Sequence, residues 1–500
     1  EWLRMVLDAG STVGVDGNLH TVNELKTLER RLEEDDIRVV AVENPVDRIW
    51  NNQPDPPQGA IVDYPVELAG ESDAVKRQRM VKELRWNGAL AAVFTVPSSI
   101  CWLLNIRGAD IPRSPVVHAF AILHSSGRVE LFTERDKMPS SLMAARGDSL
   151  DVRAWDELSD AFAQIRGAVQ IDPNTVPFSV EQLLTSSGCK IIERPDPCLL
   201  AKAVKNDVEI GSSRSIHLED GAAMAEFLAW VDENATRGIT EIDIVRKLEE
   251  CRLGTGKLRD TSFDAIAACG PNAAHCHYRV THASNRRLRA GELLLIDSGG
   301  NYEEGTTDIT RTVPLGSPTS RHGRYFTTVL KGLMALSRAR WPIDTWCSSL
   351  DAIARYPLWR LGADYDHGTG HGVGHYLDVH EGPQRLTKLS RTLLKPGMIM
   401  SIEPGYYEAG QFGIRIENLA VVKTVDEALS AGNHGMLCFE TLTFVPIDRR
   451  LVRADLLTDD ELAWLDSYHA ETVEKIRPLC SPPTQRWLEQ ACAPIRQAGT

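Results

Sequence analysis

Four carboxylates and one imidazole recur between residues 291 and 418, in segments that alternate apolar runs with glycine-rich turns. Each one is ordinary alone, because an acidic residue after an apolar run is most often a strand-end cap or a turn residue. As a set they form an oxygen-rich site that suits Mn²⁺, Co²⁺ or Zn²⁺ better than a thiolate-seeking ion. Carboxylates in this number can bridge two ions about 3.5–4 Å apart. The side chains are Asp297, Asp308, His371, Glu403 and Glu417.

The first two carboxylates follow a predicted pair of strands. Residues 293–296 form an apolar run that ends at Asp297, and turn glycines lead into a second predicted strand near residues 307–313. Neighbouring antiparallel strands can place Asp297 and Asp308 side by side. Two carboxylates held together below an apolar strand would repel each other and raise one pKa, unless a cation neutralises them. The pattern therefore predicts a bound metal or a metal pair.

The later ligands lie in segments of the same kind. An apolar run in MIMSIEPG ends at Glu403, and alternation in FGIRIENLAVV places Arg415 and Glu417 on one face of a predicted strand. Strands suit this task because they hold side chains tightly in position. Tyr406 and Tyr407 could supply a phenol to the site or merely pack.

These segments and their neighbours also allow other interpretations. The acids could be structural and balanced by arginines such as Arg311 and Arg415. The sequence HCH at residues 275–277 invites a zinc site, but a three-residue strand alternates its faces and offers only two side chains to one ion. Glycines at 368, 370, 372 and 374 invite a phosphate loop, but their order differs from GxGxxG and the strand-loop-helix context is missing. We interpret them as positions where the backbone approaches the metals and a bound molecule closely.

In order and spacing, these segments resemble the metallopeptidases of the pita-bread fold, and in particular the long three-domain form of the Xaa-Pro aminopeptidase family. The resemblance covers nearly the whole chain. It implies an α/β and α+β fold class, with creatinase-like α/β domains followed by a pita-bread catalytic domain, and it implies a homodimer. The phrases that carry it are WLLNIRG, AKAVKN, GPNAAHCHY, IDSGG, GTTDITRT, HGTGHGVG, VHEGP, EPGYYE, FGIRIEN and FVPI.

The resemblance implies a role for each side chain of the site. Asp297 would hold one metal, while His371 and Glu403 would hold the other. Asp308 and Glu417 would bridge the two ions. Glu403 matches the family's general base or proton shuttle, and the substrate-facing or supporting side chains match His277, His380, His367 and Arg415.

The implied activity is hydrolysis of the bond between an amino-terminal residue and a penultimate proline, through a hydroxide that bridges two divalent ions, with Mn²⁺ expected first. Because proline lacks an amide N–H, proteases that need that donor do not suit this bond. An Xaa-Pro dipeptidase (prolidase) uses the same ligands, but the chain length and the long-form phrases favour the aminopeptidase. A non-catalytic pita-bread binding protein and a metal-free, creatinase-like amidinohydrolase are disfavoured because all the ligands are present.

A length of 500 residues predicts about three domains. We expect residues 1–58 to be a partial amino-terminal α/β domain and linker, either trimmed or naturally short, closed by the proline-rich NNQPDPPQG. Residues 59–200 are expected to form a second creatinase-like α/β domain. Residues 201–500 are expected to form the pita-bread metallopeptidase domain with a carboxy-terminal extension, in which helices begin at Thr240 and at the capping-box pattern of Thr458 and Glu461.

The composition restricts the partners and the compartment. Acidic residues number 69 against 55 basic ones, a net charge of −14 that argues against nucleic acid and against an anionic membrane surface. No uninterrupted apolar run is long enough to span a bilayer, and the amino terminus has no basic start followed by an apolar stretch. Ten cysteines without paired spacing favour free thiols in a reducing cytosol. We therefore expect a cytoplasmic enzyme that acts on peptides with proline at the second position.

Overall fold

The computed structural model describes residues 1–235, 237–425 and 435–495. The chain divides into two compact units, Glu1–Lys202 and Ala203–Thr500. The further division of the first unit at residue 58 stays a prediction. None of the helices in the described ranges combines the length and the apolar character that a membrane span needs.

The first unit alternates strands with helices. Its strands are β1 (Thr12–Val15), β2 (Arg38–Ala41), β3 (Val62–Asp63), β4 (Ala91–Phe94), β5 (Ile106–Arg107), β6 (Phe120–His124), β7 (Val129–Phe132), β8 (Leu150–Arg153), β9 (Ala168–Ile171) and β10 (Lys190–Glu193). Its α-helices are α1 (Trp2–Val6), α2 (Val22–Glu33), α3 (Val66–Ala69), α4 (Asp73–Trp86), α5 (Pro97–Leu104), α6 (Ser140–Arg146), α7 (Leu158–Gln164), α8 (Phe178–Ser186) and α9 (Pro197–Ala203), the last of which ends one residue past the unit.

A mixed six-stranded sheet organises this unit, in the order β10-β9-β4-β6-β7-β8, and β1 pairs in parallel with β2. Strand β4 is buried at every position, so its apolar residues face packed elements on both sides of the sheet. Val93 and Val169 in the sheet form one core with Val180 and Leu184 of α8. This is an α/β unit, as the sequence predicts for this part of the chain.

The second unit carries the predicted metal ligands. Its described strands are β11 (Asp260–Thr261), β12 (Ile266–Cys269), β13 (Leu293–Ser298), β14 (Gly300–Tyr302), β15 (Gly305–Thr306), β16 (Ile309–Pro314), β17 (Arg340–Pro342), β18 (Gly370–Gly372), β19 (Glu381–Leu386), β20 (Ile399–Ile402), β21 (Gly405–Glu408), β22 (Phe412–Arg415), β23 (Asn418–Thr424) and β24 (Met436–Thr441). Its described α-helices are α10 (Asp207–Asn234), α11 (Glu241–Leu253), α12 (Ser320–Ser337), α13 (Cys347–Trp359), α14 (Asp459–Ile476) and α15 (Pro482–Ala491).

Antiparallel sheets position the ligands in this unit. A six-stranded sheet has the order β17-β24-β23-β20-β18-β19, a three-stranded sheet has the order β12-β13-β16, and β21 pairs with β22. Val329 and Leu333 of α12 belong to one apolar core with Met400 and Ile402 of β20. Strand β20, which ends directly before Glu403, is therefore anchored in a packed core.

The predicted helix starts at Thr240 and Thr458 are confirmed. Thr240 accepts a hydrogen bond from the backbone of Asp243 and Thr458 from that of Glu461, and both form capping boxes. Such caps satisfy amide groups that have no partner inside the helix.

Two predictions about the ligand-bearing strands need correction. The segment FGIRIENLAVV is not one alternating strand, because β22 ends at Arg415 and β23 begins at Asn418 in a different sheet. The link from Asp297 to Asp308 is more than a glycine turn, since it contains the short paired strands β14 and β15. Side-chain periodicity does not reveal where one pair of strands ends and the next begins, so the sequence could predict neither departure.

Candidate metal centre

Asp297 and Asp308 are brought together by the pairing of β13 with β16. Asp297 lies opposite Thr310 in this ladder, and Asp308 immediately precedes β16. A Cβ atom at Gly299 would lie 1.9 Å from the carbonyl oxygen of Thr307, so the two segments can approach only because residue 299 has no side chain. The strand pair and this glycine together bring the carboxylates within reach of one ion.

His371 lies in β18 with its ring fixed by the following residue. Its Nδ1 is 2.9 Å from the carbonyl oxygen of Gly372. A carbonyl oxygen only accepts, so Nδ1 carries a proton and Nε2 is the atom available to a metal. Nε2 is 3.4 Å from Oδ2 of Asp308 and 3.5 Å from Oε1 of Glu403. This orientation is the one that metal-binding imidazoles usually adopt.

Glu403 and Glu417 follow strands, and hydroxyl groups hold both side chains. Ser401 Oγ donates to Oε1 of Glu403 at 3.1 Å. Thr310 Oγ1 donates to Oε2 of Glu417 at 2.7 Å, and the amide of Glu417 donates to the carbonyl oxygen of Thr310 at 3.1 Å. Thr310 thus ties Glu417 to the strand that follows Asp308.

The ligand atoms form overlapping groups whose members lie within 4.8 Å of one another. Asp308, His371 and Glu417 each belong to two groups, and of these three only the carboxylates of Asp308 and Glu417 have two oxygens with which to bridge a pair of ions. One group also contains His380, which the family resemblance placed outside the ligand set. The groups are Asp297, Asp308 and Glu417; His371, Glu403 and Glu417; and Asp308, His371 and His380.

Three buried carboxylate oxygens at this centre have no hydrogen-bond partner among the described residues: Oδ1 of Asp297, Oδ1 of Asp308 and Oε1 of Glu417. Buried polar atoms are nearly always hydrogen-bonded, so three such oxygens in one place mark positions that suit cations. Burial, with repulsion from neighbouring carboxylates, raises the pKa of Asp308 and of Glu417 well above its usual range. The donor set therefore fits a pair of divalent ions.

Arginines do not balance these acids. Arg311 is fully buried, and its guanidinium donates to backbone carbonyls, to the side-chain oxygen of Asn418 and to the hydroxyl of Tyr468. Arg415 donates from Nη2 to Oδ2 of Asp297, while its Nε lies 4.0 Å from Glu403. One directly paired guanidinium cannot neutralise four carboxylates, so the structural-acid alternative fails.

Tyr407 links Arg415 to His367. Its hydroxyl accepts from Nη1 of Arg415 and lies 2.9 Å from Nε2 of His367. Nδ1 of His367 lies 2.7 Å from the carbonyl oxygen of Gly368, so Nδ1 carries the proton and Nε2 accepts from the phenol. Burial and the charge of Arg415 lower the pKa of His367 to about 3, which keeps the ring neutral. Tyr406 instead stacks on Tyr325 with ring centroids 3.8 Å apart.

A cavity of ≈ 560 Å³ contains the centre. This volume lies in the usual range for sites that hold small molecules or short peptide segments. His380 lines the wall with its ring centroid 4.2 Å from that of His371, and enclosure together with His371 lowers the pKa of His380 to about 4. His277, His367 and Arg415 also line the cavity. All the site residues predicted from sequence therefore face one space.

Thr310 and Arg385 also lie near the centre, but the sequence did not identify them as site residues. Thr310 lies two residues after Asp308, but a threonine at that spacing is too common for the sequence to single it out. Arg385 follows VHEGP in a stretch without a recognisable pattern. Only the strand pairing shows that they reach the centre.

The structure bears on the zinc interpretation of residues 275–277 and on the interpretation of the glycines between residues 368 and 374. Cys276 and His277 lie in a turn after the 3₁₀ helix Gly270–Ala274, and no metal-type cluster in the described residues includes Cys276. A Cβ atom at Gly370 would lie 2.0 Å from the carbonyl oxygen of Ser401. The close approach that requires a glycine at residue 370 is therefore to a neighbouring strand, while Gly368 and Gly370 also line the cavity that contains the centre.

An α/β unit followed by a unit of antiparallel sheets around a carboxylate-rich centre defines a metallohydrolase of the creatinase and pita-bread type. Three family models match successive segments of the chain from residue 52 onward. "Creatinase/Prolidase N-terminal domain" matches residues 52–209, "Metallopeptidase family M24" matches residues 214–424, and "C-terminal region of peptidase_M24" matches residues 435–495.

The chain belongs to metallopeptidase family M24 and, within it, to the Xaa-Pro aminopeptidase P group. It is 37% identical to the "Probable Xaa-Pro aminopeptidase P" of Talaromyces marneffei, over 99% of this chain and 78% of that protein. It is 36% identical to "Aminopeptidase P2" of Arabidopsis thaliana, over 99% and 75%. A crystal structure of X-prolyl aminopeptidase from Caenorhabditis elegans, described as a cytosolic enzyme with a di-nuclear active site, has 32% identity and a TM-score of 0.93 over 99% of this chain and 82% of that one.

Proposed function

We propose that this protein is a metal-dependent aminopeptidase that hydrolyses the bond between an amino-terminal residue and a penultimate proline. The observation that carries the proposal is the set of three buried carboxylate oxygens, without hydrogen-bond partners among the described residues, in a cavity that is also lined by four histidines. The similarity to Xaa-Pro aminopeptidases supports the choice of substrate, and the di-nuclear active site described for the Caenorhabditis elegans enzyme supports a pair of divalent ions.

The two ions would be held as the overlapping groups suggest. Asp297 would hold one ion, His371 and Glu403 would hold the other, and Asp308 and Glu417 would be shared between the two. Oxygen-rich donors suit Mn²⁺ best, with Co²⁺ and Zn²⁺ as alternatives. When bound, such ions activate a water molecule near neutral pH and polarise the carbonyl group that is attacked.

The chain's own residues then handle the protons. Glu403 receives a proton from the attacking water, since Ser401 holds one of its oxygens and burial raises the pKa of the carboxyl. His277 and His380 line the cavity wall and donate hydrogen bonds to the oxygen of the attacked carbonyl. His380 can do so as a neutral ring, because its pKa of about 4 leaves one nitrogen protonated without charge.

His367 and Arg415 act through their neighbours. Arg415 orients Asp297 and the phenol of Tyr407, and that phenol fixes the ring of His367 at the cavity wall. A neutral, immobile ring at this position offers a flat apolar surface for a proline ring. These residues therefore position the ligands and the substrate.

Prolidase activity is the competing proposal within the family, and a binding protein without catalysis is the competing proposal from another class. The complete ligand set argues against the latter. We further propose that the protein is a homodimer, as the family resemblance implies, and that it acts in the cytoplasm, as does the Caenorhabditis elegans enzyme described as cytosolic. The net charge of −14 supports the proposal that it binds neither nucleic acid nor anionic membranes.

The test compares an Arg-Pro-Pro peptide, an Xaa-Pro dipeptide and a matched peptide with alanine in second position. Each is incubated with the chelated protein before and after Mn²⁺ is restored. We expect Mn²⁺-dependent release of the first residue, higher kcat/KM for the tripeptide than for the dipeptide, and a loss of about 2–3 kcal/mol of transition-state binding without the proline ring. Faster turnover of the dipeptide would establish the prolidase, and no turnover with any divalent ion would establish the binding protein.

A further inference from the structure

Glu241 is a fully buried carboxylate outside the metal centre. It is the first residue of α11, and its oxygens accept hydrogen bonds from four residues that lie 28 to 45 positions later in the chain. The amide of Cys269 donates to Oε1 at 2.8 Å, and the amide of Arg286 donates to Oε2 at 3.0 Å. The side-chain amide of Asn272 donates to both oxygens at 3.0 Å, and the hydroxyl of Tyr278 donates to Oε2 at 3.0 Å. The carboxylate therefore holds both ends and the middle of one stretch of chain.

These bonds require a carboxylate and not merely a polar side chain. A carboxylate only accepts, and it offers about four positions to donors. The positive end of the helix dipole also stabilises a negative charge at the start of α11. An amide of the same shape has one accepting oxygen, so glutamine at this position would leave buried donors of that stretch unpaired.

The stretch that Glu241 holds carries His277 to the cavity. Residues 270–286 consist of one short 3₁₀ helix, turns and loop, so strand pairing does not hold them in place. His277 lines the cavity and directly precedes Tyr278. The bonds to Asn272 and Tyr278 therefore hold the chain on both sides of this imidazole.

We propose that Glu241 is a positioning residue, whose carboxylate fixes residues 270–286 so that the ring of His277 meets the carbonyl group attacked in the reaction. The inference rests on the proposed aminopeptidase activity, in which His277 donates a hydrogen bond to the oxygen of that carbonyl. A displacement of about 1 Å in a group of this kind can cost about 100-fold in rate. Glu241 does not line the cavity, so it acts through His277 and not on the substrate.

The variant Glu241→Gln tests the proposal in the full chain supplied with Mn²⁺. We expect kcat for an Arg-Pro-Pro peptide to fall by about 10- to 100-fold, while elemental analysis finds the same number of bound ions. Hydrogen–deuterium exchange across residues 269–286 should become faster, because amides in this range lose their acceptor. Tyr278→Phe removes one donor to Glu241 and should give a smaller loss of kcat. If Glu241→Gln does not fold, an unchanged kcat in Tyr278→Phe would overturn the inference.

Asp243→Asn is the matched control, because it makes the same replacement of a carboxylate by an amide in the first turn of α11. The carboxylate of Asp243 accepts hydrogen bonds from the amide and the hydroxyl of Thr240, in the capping box of the helix. Its replacement should lower the Tm and leave kcat unchanged. The control therefore separates a loss of helix stability from a displaced imidazole.

The same substitution in the His277→Ala background makes the decisive comparison. Without the imidazole there is nothing for Glu241 to position, so Glu241→Gln should change kcat by less than about twofold there, since coupled residues are not additive. Its effect on the Tm should be the same in both backgrounds. An equal loss of kcat in both backgrounds, or an unchanged kcat in Glu241→Gln alone, would overturn the inference and leave the proposed function intact. Failure of the natural chain to cleave any Xaa-Pro peptide would overturn the proposed function and this inference with it.

Discussion

Thr310 and Glu417 share a hydrogen bond that uses only one of the two carboxylate oxygens of Glu417. Thr310 Oγ1 donates to Oε2 of Glu417 at 2.7 Å, whereas Oε1 of the same buried side chain has no partner in the described part of the chain. The hydroxyl thus fixes the plane of the carboxylate and leaves its second oxygen to the centre of the site. A ligand held in this way is already oriented before an ion binds.

Glu417→Gln should remove most of the metal-binding capacity. The amide keeps the size of the side chain and the bond to Thr310, but it no longer supplies the charge that two ions would share. We expect the bound metal, measured by elemental analysis after dialysis against Mn²⁺, to fall from about two ions per chain to one or fewer. Activity should fall by about 100-fold or more.

Glu408→Gln is the control for that experiment, because Glu408 pairs with Arg321 at the surface and does not line the cavity. It should keep both ions. Two ions retained in Glu417→Gln would remove Glu417 from the ligand set.

Thr310→Val should weaken metal binding although Thr310 itself binds no metal. The substitution keeps the shape of this fully buried side chain but removes the donor to Glu417 and the acceptor for Nε of Arg415, 3.2 Å away. Loss of such a supporting hydrogen bond typically costs 10- to 100-fold in metal affinity. Titration of the chelated protein with Mn²⁺ measures the affinity. Thr310→Ser retains the hydroxyl and should bind as the natural chain does; equal affinities for the Val and Ser variants would show that the hydroxyl has no supporting role.

His380→Ala should damage turnover more than metal content. If the ring donates to the attacked carbonyl, its loss should cost about 10²-fold or more in kcat, with both ions retained. Elemental analysis beside steady-state kinetics separates the two effects. His282→Ala, at an exposed histidine that does not line the cavity, should change neither. Because His380 lies within reach of Asp308 and His371, loss of an ion in His380→Ala would instead place this residue among the ligands.

The first unit should lose a stabilising interaction in acid. Hydrogen bonds from His124 and Arg153 lower the pKa of Glu130 from 4.5 to about 2, against the effect of burial. A carboxyl with a lowered folded-state pKa contributes stability above its unfolded pKa, and this contribution disappears as the pH falls from about 4.5 to about 2. Glu130→Gln should therefore destabilise β6, β7 and β8 by about 1–2 kcal/mol at pH 7 and have little effect near pH 2.

Hydrogen–deuterium exchange of the full chain reports this effect locally, in peptides that cover the three strands. A difference between the natural chain and Glu130→Gln that is the same at both pH values would contradict the assigned pKa. Arg79→Gln serves as the comparison, because Arg79 forms its ion pair with Glu71 and not with Glu130, and such a solvent-exposed pair should contribute little at either pH.

The sequence was sufficient where local pattern decides structure. The apolar run before Asp297 predicted β13, and the Thr458 and Glu461 pair predicted the start of α14, since burial of a strand and capping of a helix each depend on a few adjacent residues. The alternation of side chains also predicted that Arg415 and Glu417 face the same way, and both line one cavity even though the strand is broken between them.

Contacts between distant segments could not be predicted in this way. Thr310 reaches Glu417, 107 positions away, and Arg385 faces His371 only because β18 and β19 pair with an irregular register at Gly372. Helix α15 was also missed, although prolines at its first two positions are a helix-start signal. The resemblance named the ligands, but the partners that orient them depend on register and packing, which are properties of the folded chain.

The partners of Arg311 set a limit on how far this protein can be shortened. From the strand that follows Asp308, its guanidinium reaches the carbonyl oxygens of Val445 and Pro446 and the hydroxyl of Tyr468 in α14. A version trimmed before residue 445 would leave this buried cation with its bonds to Thr310, Glu417 and Asn418 but would remove the acceptor of its Nε and two of the acceptors of its Nη2, close to two of the proposed metal ligands. The carboxy-terminal segment is in this sense part of the catalytic apparatus, and engineering of a minimal peptidase has to replace Arg311 before it removes that segment.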